Sequence, residues 1–187
     1  YKCVYCYGDY YNQEKENFST EELLGFIDEL KDMGTLILNL IGGEPLIRND
    51  IGMLVDRVKK NKMICHVSSN LAFLPEKIDL VKNVDALDTS LDGMEENNDK
   101  NRGEGTFKKT MKGIQYGVKQ GIPINVNMVI TKYNAADIDA MVKLAVEIGF
   151  SLSFNLVFES HSSKFDNYQD SIDIKGDDDQ DMRNALK

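Results

Sequence analysis

The sequence predicts an α/β fold of parallel β/α units, because helix-like and strand-like segments alternate along most of the chain. Five strand-like segments are short and nearly continuous apolar runs, as expected for strands that are buried on both faces. Each is joined to the next by a segment with helical apolar spacing, and parallel strands require such crossovers. We therefore expect one parallel sheet with helices between its strands.

The first helix is predicted from its cap. Ser19-Thr20-Glu21-Glu22 carries the residues of a capping box, and the apolar face that follows ends near Gly34. That face consists of Leu23, Leu24, Ile27 and Leu30. A β-rich run over Thr35–Ile41, closed by Gly42-Gly43, predicts the first strand of the sequence.

The remaining elements follow from the same periodicities and stop signals. They are, in chain order, a helix over Asn49–Lys60, a strand over Met63–Ser68, a short helix over Pro75–Val81, a strand over Ala86–Leu91, a helix over Thr106–Lys119 ending at Gly121, a strand over Ile124–Ile130, a helix over Ala135–Ile148 ending at Gly149, and a strand over Leu152–Phe158.

The composition excludes several classes of function. The 187 residues include 31 acidic and 22 basic side chains, and the net charge of −9 disfavours nonspecific binding to nucleic acid or anionic membranes. The most apolar stretch, Leu36–Ile41, contains Asn39 and is too short to span a bilayer. Three cysteines do not make a disulfide framework, and no secretory signal is visible. We expect a cytoplasmic protein.

The two ends of the chain depart from the β/α pattern. From about Ser160 the chain becomes polar and includes the acidic run Gly176–Asp181, which lacks the spacing of a calcium loop and is interpreted as a solvated turn or helix start. We expect residues 1–160 to form the core domain and residues 161–187 to form an acidic polar tail or the start of a further element. Because the chain opens at Tyr1 on a cysteine-bearing segment, we also expect residues upstream of it.

Two of the three cysteines are separated by two residues in Cys3-Val4-Tyr5-Cys6. Thiolates at this spacing can bind one face of a metal ion or an iron–sulfur cluster, form half of a structural zinc site, or act as a redox dithiol. A redox dithiol normally begins a helix after a strand, and no such pattern is visible here. Cys65 lies within a predicted strand and is interpreted as a small buried hydrophobe.

Polar and glycine-containing motifs end three of the predicted strands: Gly42–Pro45, Ser68–Asn70 and Ser90–Gly93. Such residues at the same end of successive parallel strands can line one site, although they are also ordinary turn residues. A fourth segment, Arg102–Thr106, leads into a helix. It could hold an anion at the helix N-terminus, or serve as a flexible lead-in with Thr106 as the cap.

Together these motifs resemble the radical S-adenosylmethionine (radical SAM) superfamily. Its hallmark is three cysteines in the pattern C-x3-C-x2-C with an aromatic residue before the last. Cys3 and Cys6 match the second and third cysteines, and Tyr5 matches the aromatic residue, so the first cysteine would fall two positions before Tyr1. Gly42, Gly43, Glu44 and Pro45 match the family's GGEP motif, and Ser90–Gly93 followed by Arg102-Gly103 also recurs in the family.

The resemblance implies a partial (β/α)6 barrel of the TIM type, with its first strand upstream of Tyr1. It further implies an enzyme that cleaves SAM reductively at a [4Fe-4S] cluster, and the resulting 5′-deoxyadenosyl radical takes hydrogen from a substrate. By this analogy Cys3 and Cys6 bind iron, and Tyr5 lies near adenine. Glu44, with the backbone of Gly42-Gly43, receives the methionine ammonium. The other implied SAM contacts are Ser69, Asn70, Ser90 and Asp92 near ribose and methionine, and Arg102 at the carboxylate.

The residues after Cys6 and after the GGEP motif resemble the branch of the family that modifies peptides and proteins. The expected partners are accordingly a peptide or small-molecule substrate and a reductant such as ferredoxin or flavodoxin. Two alternatives stay open: a degenerate barrel or zinc-binding module without catalysis, and a different β/α-barrel enzyme such as a lyase with Glu44 or Asp92 as its base. The lyase would turn over without iron or SAM.

Overall fold

Five parallel strands form one sheet in the order in which they occur along the chain. The computed structural model describes Tyr1, Cys3 and residues 18–131 and 133–156. The strands are β1 (Ile37–Leu40), β2 (Ile64–Ser68), β3 (Ala86–Ser90), β4 (Ile124–Ile130) and β5 (Ser151–Leu156). A doubly wound sheet reverses its strand order at a switch point, whereas this order does not reverse. The architecture is α/β and like that of a TIM barrel, as predicted.

The helices are α1 (Thr20–Asp32), α2 (Ile51–Lys60), α3 (Leu74–Val81), α4 (Glu95–Arg102), α5 (Thr106–Lys119) and α6 (Ile138–Ile148). Short 3-10 helices lie at Pro45–Ile47 and Ala135–Asp137. Ser19 caps α1 through the predicted capping box with Glu22, and Gly149 ends α6 as predicted. The predicted strand over residues 35–41 is shorter in the structure, and Phe158 lies outside the described residues.

Helix α4 was not predicted because it has no apolar periodicity. Its sequence is Glu-Glu-Asn-Asn-Asp-Lys-Asn-Arg, and its buried residues are Asn98 and Asn101. An amphipathic pattern is the main sequence signal for a helix, and polar bonds to other elements replace it here. The carboxylate of Asp137 accepts bonds from the backbone N–H of Met94 (2.8 Å) and from Nδ2 of Asn97 (2.9 Å), and so holds the start of the helix.

The hydrophobic core lies on one face of the sheet, between the strands and the helices. Parallel register aligns Leu38 with Cys65 and Val67 with Leu87, which places these side chains on the core face. Fully buried members include Leu46, Val55, Val58, Val67, Leu87, Ile114, Met128 and Met141. Each such aliphatic side chain contributes about 1.5–3 kcal/mol of burial free energy. The core therefore fixes the positions of the loops that follow the strands.

The opposite face of the sheet, which we call the inner face, is polar. Its residues include Asn39, His66, Ser68, Asp88, Ser90, Asn125, Asn127, Ser153 and Asn155. The expectation that the strands are apolar on both faces is therefore wrong for the described residues. Hydrogen bonds across the strands explain how these polar side chains are accommodated, as described below.

Cys65 lies on the core face, as predicted for a small buried hydrophobe. The residue is fully buried, and burial raises the pKa of its thiol to about 11. A thiol with this pKa is not a thiolate at neutral pH and does not offer the ligand that metals require. Cys65 therefore belongs to the core.

Arg48, Asp50 and Thr20 connect the beginnings of α1 and α2. Arg48 donates to both carboxylate oxygens of Asp50 at 2.8 and 2.7 Å, and the Thr20 hydroxyl donates to Asp50 at 2.7 Å. The hydrogen bonds from Arg48 lower the pKa of Asp50 from 3.8 to about 2. A carboxyl group whose pKa is lower in the folded state stabilises the fold above its unfolded pKa, and this contribution is lost as the pH falls towards the folded pKa.

We predict that Asp50→Asn lowers the free energy of unfolding at neutral pH and flattens its loss between about pH 4 and 2. Urea unfolding of both proteins across this range measures the effect. Asp79→Asn is the matched control, because the Asp79 side chain is 88% exposed and sits 3.4 Å from Lys82. Parallel pH profiles for the wild type and Asp50→Asn would contradict the assignment.

Candidate active site

The loops that follow β1, β2 and β3 meet at the carboxyl edge of the sheet. They carry the predicted residues Glu44, Ser69 and Asp92, and the N-terminal residues Tyr1 and Cys3 reach the same edge. Parallel strands present their carboxyl ends at one edge, and active sites of α/β barrels occupy this edge. The structure joins Glu44 with Ser69 and Asn70, and it joins Arg102 with Asp92 and Cys3. Tyr1 interacts electrostatically with Glu44, Arg102 and Cys3, and so relates the two groups. Tyr5 and Cys6 lie outside the described residues.

The carboxylate of Glu44 joins the loop after β1 to the loop after β2. Its Oε1 accepts from the backbone N–H of Leu46 at 2.9 Å and from the Ser69 hydroxyl at 2.7 Å, and its Oε2 accepts from the backbone N–H of Asn70 at 2.8 Å. A carboxylate has about four acceptor positions. Donors from the described residues occupy three of these positions and leave one position on Oε2 for a further donor.

The backbone around Glu44 leaves room for a ligand. A Cβ atom built at Gly42 meets no atom of a described residue within 4 Å, so packing against these residues does not require glycine there. The Ser90 hydroxyl, at the end of β3, accepts or donates no bond to a described residue. After β2, Leu71 adopts a φ of +58° although it is not glycine, and the residue is fully buried. Such backbone strain occurs preferentially at functional sites.

Asp92 and Arg102 form a buried ion pair. Nε and Nη2 of Arg102 donate to the two oxygens of Asp92 at 2.6 and 3.1 Å, and the backbone N–H of Val129 donates to the same carboxylate at 3.0 Å. The Asp92 side chain is 0% exposed and that of Arg102 is 12% exposed. The Asp92 carboxylate is therefore occupied by this pair, and the cation is what the pair presents to the site.

The loop between β3 and α4 is held by two buried asparagines. The Asn98 side chain accepts the Asp92 backbone N–H at 3.0 Å, and Asn134 Nδ2 donates to the Asp92 carbonyl at 2.9 Å. At Gly93 the φ is +113°, and an added Cβ would lie 2.5 Å from the carboxylate of Asp137. The sequence did not indicate Asn98, Asn134 or Asp137 as site residues, because single polar residues carry no periodic signal.

Cys3 lies beside the guanidinium of Arg102. Nη1 of Arg102 is 3.9 Å from Sγ of Cys3, within the range of an N–H···S hydrogen bond. The Tyr1 hydroxyl shares a 3.0 Å hydrogen bond with the Thr110 hydroxyl, and burial raises the pKa of the Tyr1 phenol. A thiolate next to a cation is the environment expected of a metal-binding cysteine. Within the described ranges, no group of three His, Cys, Asp or Glu side chains could hold a metal ion, and Cys3 is the one predicted thiol ligand that they include.

The start of α5 is capped by the chain itself. The Asp99 carboxylate accepts from the backbone N–H groups of Gly105 (2.6 Å) and Phe107 (2.9 Å) and from the Thr106 hydroxyl (3.1 Å). Burial raises the pKa of Asp99, but these hydrogen bonds outweigh it and lower the pKa overall. The prediction of Thr106 as the cap is wrong: Gly105 is the N-cap residue, and the anion at this helix N-terminus is Asp99.

Asp88 organises the inner face of the sheet. Its carboxylate accepts from Nδ2 of Asn125 at 2.8 Å and from Nδ2 of Asn39 at 3.1 Å, and it lies 3.2 Å from Nδ1 of His66. The carbonyl oxygen of the Asn39 amide accepts from the Ser68 hydroxyl at 3.1 Å. The contact between His66 and Asp88 is a hydrogen bond to an ionised carboxylate only in the His66 tautomer with a proton on Nδ1, because such a carboxylate only accepts. Alternation of polar residues along the strands was the available signal for this network.

Comparison with known proteins identifies relatives along most of the chain. The sequence pattern described as the Radical SAM superfamily matches residues 1–145. The chain is 33% identical over 179 residues to Fe-coproporphyrin III synthase of Methanosarcina barkeri, covering 92% of this chain and 45% of that protein. It is 32% identical over 155 residues to mycofactocin maturase MftC of Mycobacterium tuberculosis, covering 80% of this chain and 40% of that protein. The chain thus spans less than half the length of these two relatives.

The solved structure of SuiB from Streptococcus suis has the same fold. The match to SuiB bound to S-adenosylmethionine has a TM-score of 0.77 and 20% identity, and covers 99% of this chain and 43% of that chain. The match to SuiB bound to precursor peptide SuiA has a TM-score of 0.75 and 21% identity, and covers 99% of this chain and 41% of that chain. At this identity the likeness shows the fold alone. No helix in residues 18–131 or 133–156 is both long and apolar enough to cross a membrane.

We predict that Arg102→Ala lowers the free energy of unfolding by roughly 3–5 kcal/mol, because it removes the cation from the buried Asp92 carboxylate. The double variant Asp92→Asn/Arg102→Gln removes both charges and should recover most of this loss. Urea unfolding at neutral pH measures both. The matched control is Arg57→Ala, whose partner Asp28 is 45% exposed and which should cost less than about 1 kcal/mol. Equal losses for Arg102→Ala and Arg57→Ala would contradict the buried pair.

Proposed function

Because the chain belongs to the radical SAM superfamily, we propose that it is the core of an enzyme that uses SAM and a [4Fe-4S] cluster. The observation that carries this proposal is the meeting of Cys3, Glu44 and the Asp92–Arg102 pair at the carboxyl edge of the sheet. When bound, the cluster supplies the electron that cleaves SAM to methionine and a 5′-deoxyadenosyl radical, which abstracts hydrogen from a substrate. Ferredoxin or flavodoxin is the proposed type of reductant.

The described residues suit the groups of SAM. Glu44 has one acceptor position left on Oε2, which fits the methionine ammonium, and the open space at Gly42 allows the ligand to approach the backbone. Ser69 and Asn70 hold the Glu44 carboxylate in place. These bonds fix the acceptor before the ligand arrives, so that little ordering is needed on binding.

The remaining assignments rest on the match to the family's motifs. Cys3 and Cys6 are the proposed iron ligands, and Tyr5 is the residue proposed near adenine. Ser90 is proposed near the ribose and methionine, and the hydroxyl is free for this among the described residues. Asp92 acts through Arg102, which it holds with two hydrogen bonds, and the guanidinium is the proposed partner of the SAM carboxylate.

We propose a peptide as the substrate. MftC is named as a maturase, and SuiB was solved with a precursor peptide bound. The inner face offers amides, hydroxyls, the His66 imidazole and the Asp88 carboxylate, which can hydrogen-bond to peptide groups. Its positions in the described strands include no Lys or Arg. A face of this kind suits neutral or cationic groups better than carboxylates.

A tetrapyrrole is the second candidate substrate. The observation that favours it is the 33% identity to Fe-coproporphyrin III synthase over 92% of this chain. Coproporphyrin carries several carboxylates, and recognition of these by protein normally uses Arg or Lys. The inner-face positions of the described strands do not supply such cations, which is why the peptide is placed first.

We predict that the full-length protein containing this sequence, reconstituted anaerobically with iron and sulfide and then reduced, gives an electron paramagnetic resonance signal that shifts when SAM is added. It should also form 5′-deoxyadenosine. Stoichiometric zinc without acid-labile sulfide would instead indicate the non-catalytic binding module. Turnover of a substrate without iron and without SAM would indicate a different β/α-barrel enzyme.

We predict that Gly42→Ala weakens SAM binding about tenfold, equivalent to about 1.4 kcal/mol, because the new methyl group fills space left for the ligand. The open surroundings of Gly42 should keep the free energy of unfolding within about 0.5 kcal/mol of wild type. Gly25→Ala is the matched control: that glycine lies in α1 with equally open surroundings, and its replacement should not change SAM affinity. Equal SAM affinity of Gly42→Ala and wild type, measured by equilibrium binding, would contradict this role.

A further inference from the structure

We propose that Arg102 sets the reduction potential of the iron–sulfur site by donating a hydrogen bond to the Cys3 thiolate, with Asp92 holding the guanidinium in position. The inference rests on the proposed function, since it requires Cys3 to bind a cluster iron. It adds a role that operates before SAM binds, distinct from the proposed pairing of Arg102 with the SAM carboxylate. In the structure, Sγ of Cys3 stands for the cluster-bound thiolate.

Two of the described residues that contact the guanidinium of Arg102 are Asp92 and Cys3. Nε and Nη2 donate to Asp92 at 2.6 and 3.1 Å, and Nη1 is the nitrogen that faces Sγ of Cys3 at 3.9 Å. Because the guanidinium is rigid and planar, fixing one edge with two bonds also fixes the direction of the third nitrogen. Asp92 is fully buried and receives a further bond from the backbone N–H of Val129, so it cannot easily turn away.

Of the Asp92–Arg102 pair, Arg102 is the residue that contacts Sγ of Cys3. Reduction of an iron–sulfur cluster adds one negative charge, which is shared with the thiolate ligands. A cationic N–H donor at one of these sulfurs stabilises the reduced form more than the oxidised form and raises the potential. Asp92 opposes this effect, but it contacts the guanidinium rather than the sulfur in the bonds described above.

Among the described residues, Tyr1 interacts electrostatically with Arg102 and Cys3 and also with Glu44. The phenol is neutral at working pH because burial raises its pKa further. The Glu44 carboxylate already accepts three hydrogen bonds, which partly offset its charge. Arg102 is therefore the residue to replace in a test of how a nearby charge affects the reduction potential of the cluster.

The test is a redox titration of the reconstituted full-length protein without SAM, followed by electron paramagnetic resonance. At a fixed solution potential we expect the ratio of reduced to oxidised cluster to fall about tenfold in Arg102→Gln, equivalent to about 59 mV for a one-electron couple. Because Arg102→Gln leaves a buried charge and can fold poorly, Asp92→Asn/Arg102→Gln is measured beside it. The double variant should also show a fall, but a smaller one, because the opposing charge of Asp92 is removed with the cation. Arg102→Lys keeps a cation but lacks the planar set of donors that contacts both Asp92 and Cys3. Its ratio of reduced to oxidised cluster should lie between those of Arg102→Gln and wild type.

Arg57→Gln is the matched control, because Arg57 pairs with Asp28 on α1 and should leave the ratio unchanged. An unchanged ratio of reduced to oxidised cluster in both Arg102→Gln and the double variant would overturn the inference. This holds even if both variants bind SAM more weakly, because Arg102 would then act on SAM and not on the cluster potential. A wild-type protein that assembles no [4Fe-4S] cluster would overturn the proposed function and this inference with it. A wild-type cluster that responds to SAM, beside unchanged variants, would overturn the inference alone.

Discussion

The buried carboxylate of Asp92 is the constraint on which the arrangement of the site depends. It follows β3, accepts the backbone N–H of Val129 in β4, and pairs with Arg102 at the end of α4. Its own backbone is held by Asn98 and Asn134. A charge buried to this degree is tolerable only if paired and hydrogen-bonded, so each of these elements must be in place together. One residue thereby connects two strands, one helix and, through its backbone carbonyl, the loop before α6.

The charge of Glu44, in the neighbouring loop, is compensated by hydrogen bonds and not by an ion pair. Glu44 remains partly accessible, and its three donors come from its own turn and from the end of β2. The Asp92 carboxylate accepts bonds from Arg102 and Val129, whereas the described donors leave one acceptor position on the Glu44 carboxylate, which is the position that we propose for a ligand. From the sequence, the resemblance implied that both acidic residues contact SAM, Glu44 at the methionine ammonium and Asp92 near ribose and methionine. Burial and donor count, which depend on tertiary structure, separate their roles.

The elements that carry an apolar period were predictable from the sequence, and those held by polar contacts were not. The bounds of β4 and α5 follow from hydrophobic spacing and the glycine stop, and the structure has them as predicted. Helix α4 depends on hydrogen bonds between segments far apart in sequence, which no local pattern records. For the inner-face network around Asp88, the polar alternation along the strands was visible, but the partner of each side chain follows from the pairing of the strands. The motif residues Glu44, Asp92 and Arg102 could be named from their resemblance to a family. Which of these residues bond to one another could be read only from the interatomic distances in the structure.

The polar character of α4 has a consequence for how the site holds together over time. A helix with an apolar face is kept in place by the core, whereas α4 depends on bonds made by Asn98, Arg102 and the Asp137 cap. Its local opening therefore costs these bonds and little hydrophobic burial. Any ligand that interacts with Arg102 adds its binding free energy to that cost and slows amide exchange along the helix. The rate of amide exchange in α4 therefore indicates whether a ligand is bound at Arg102.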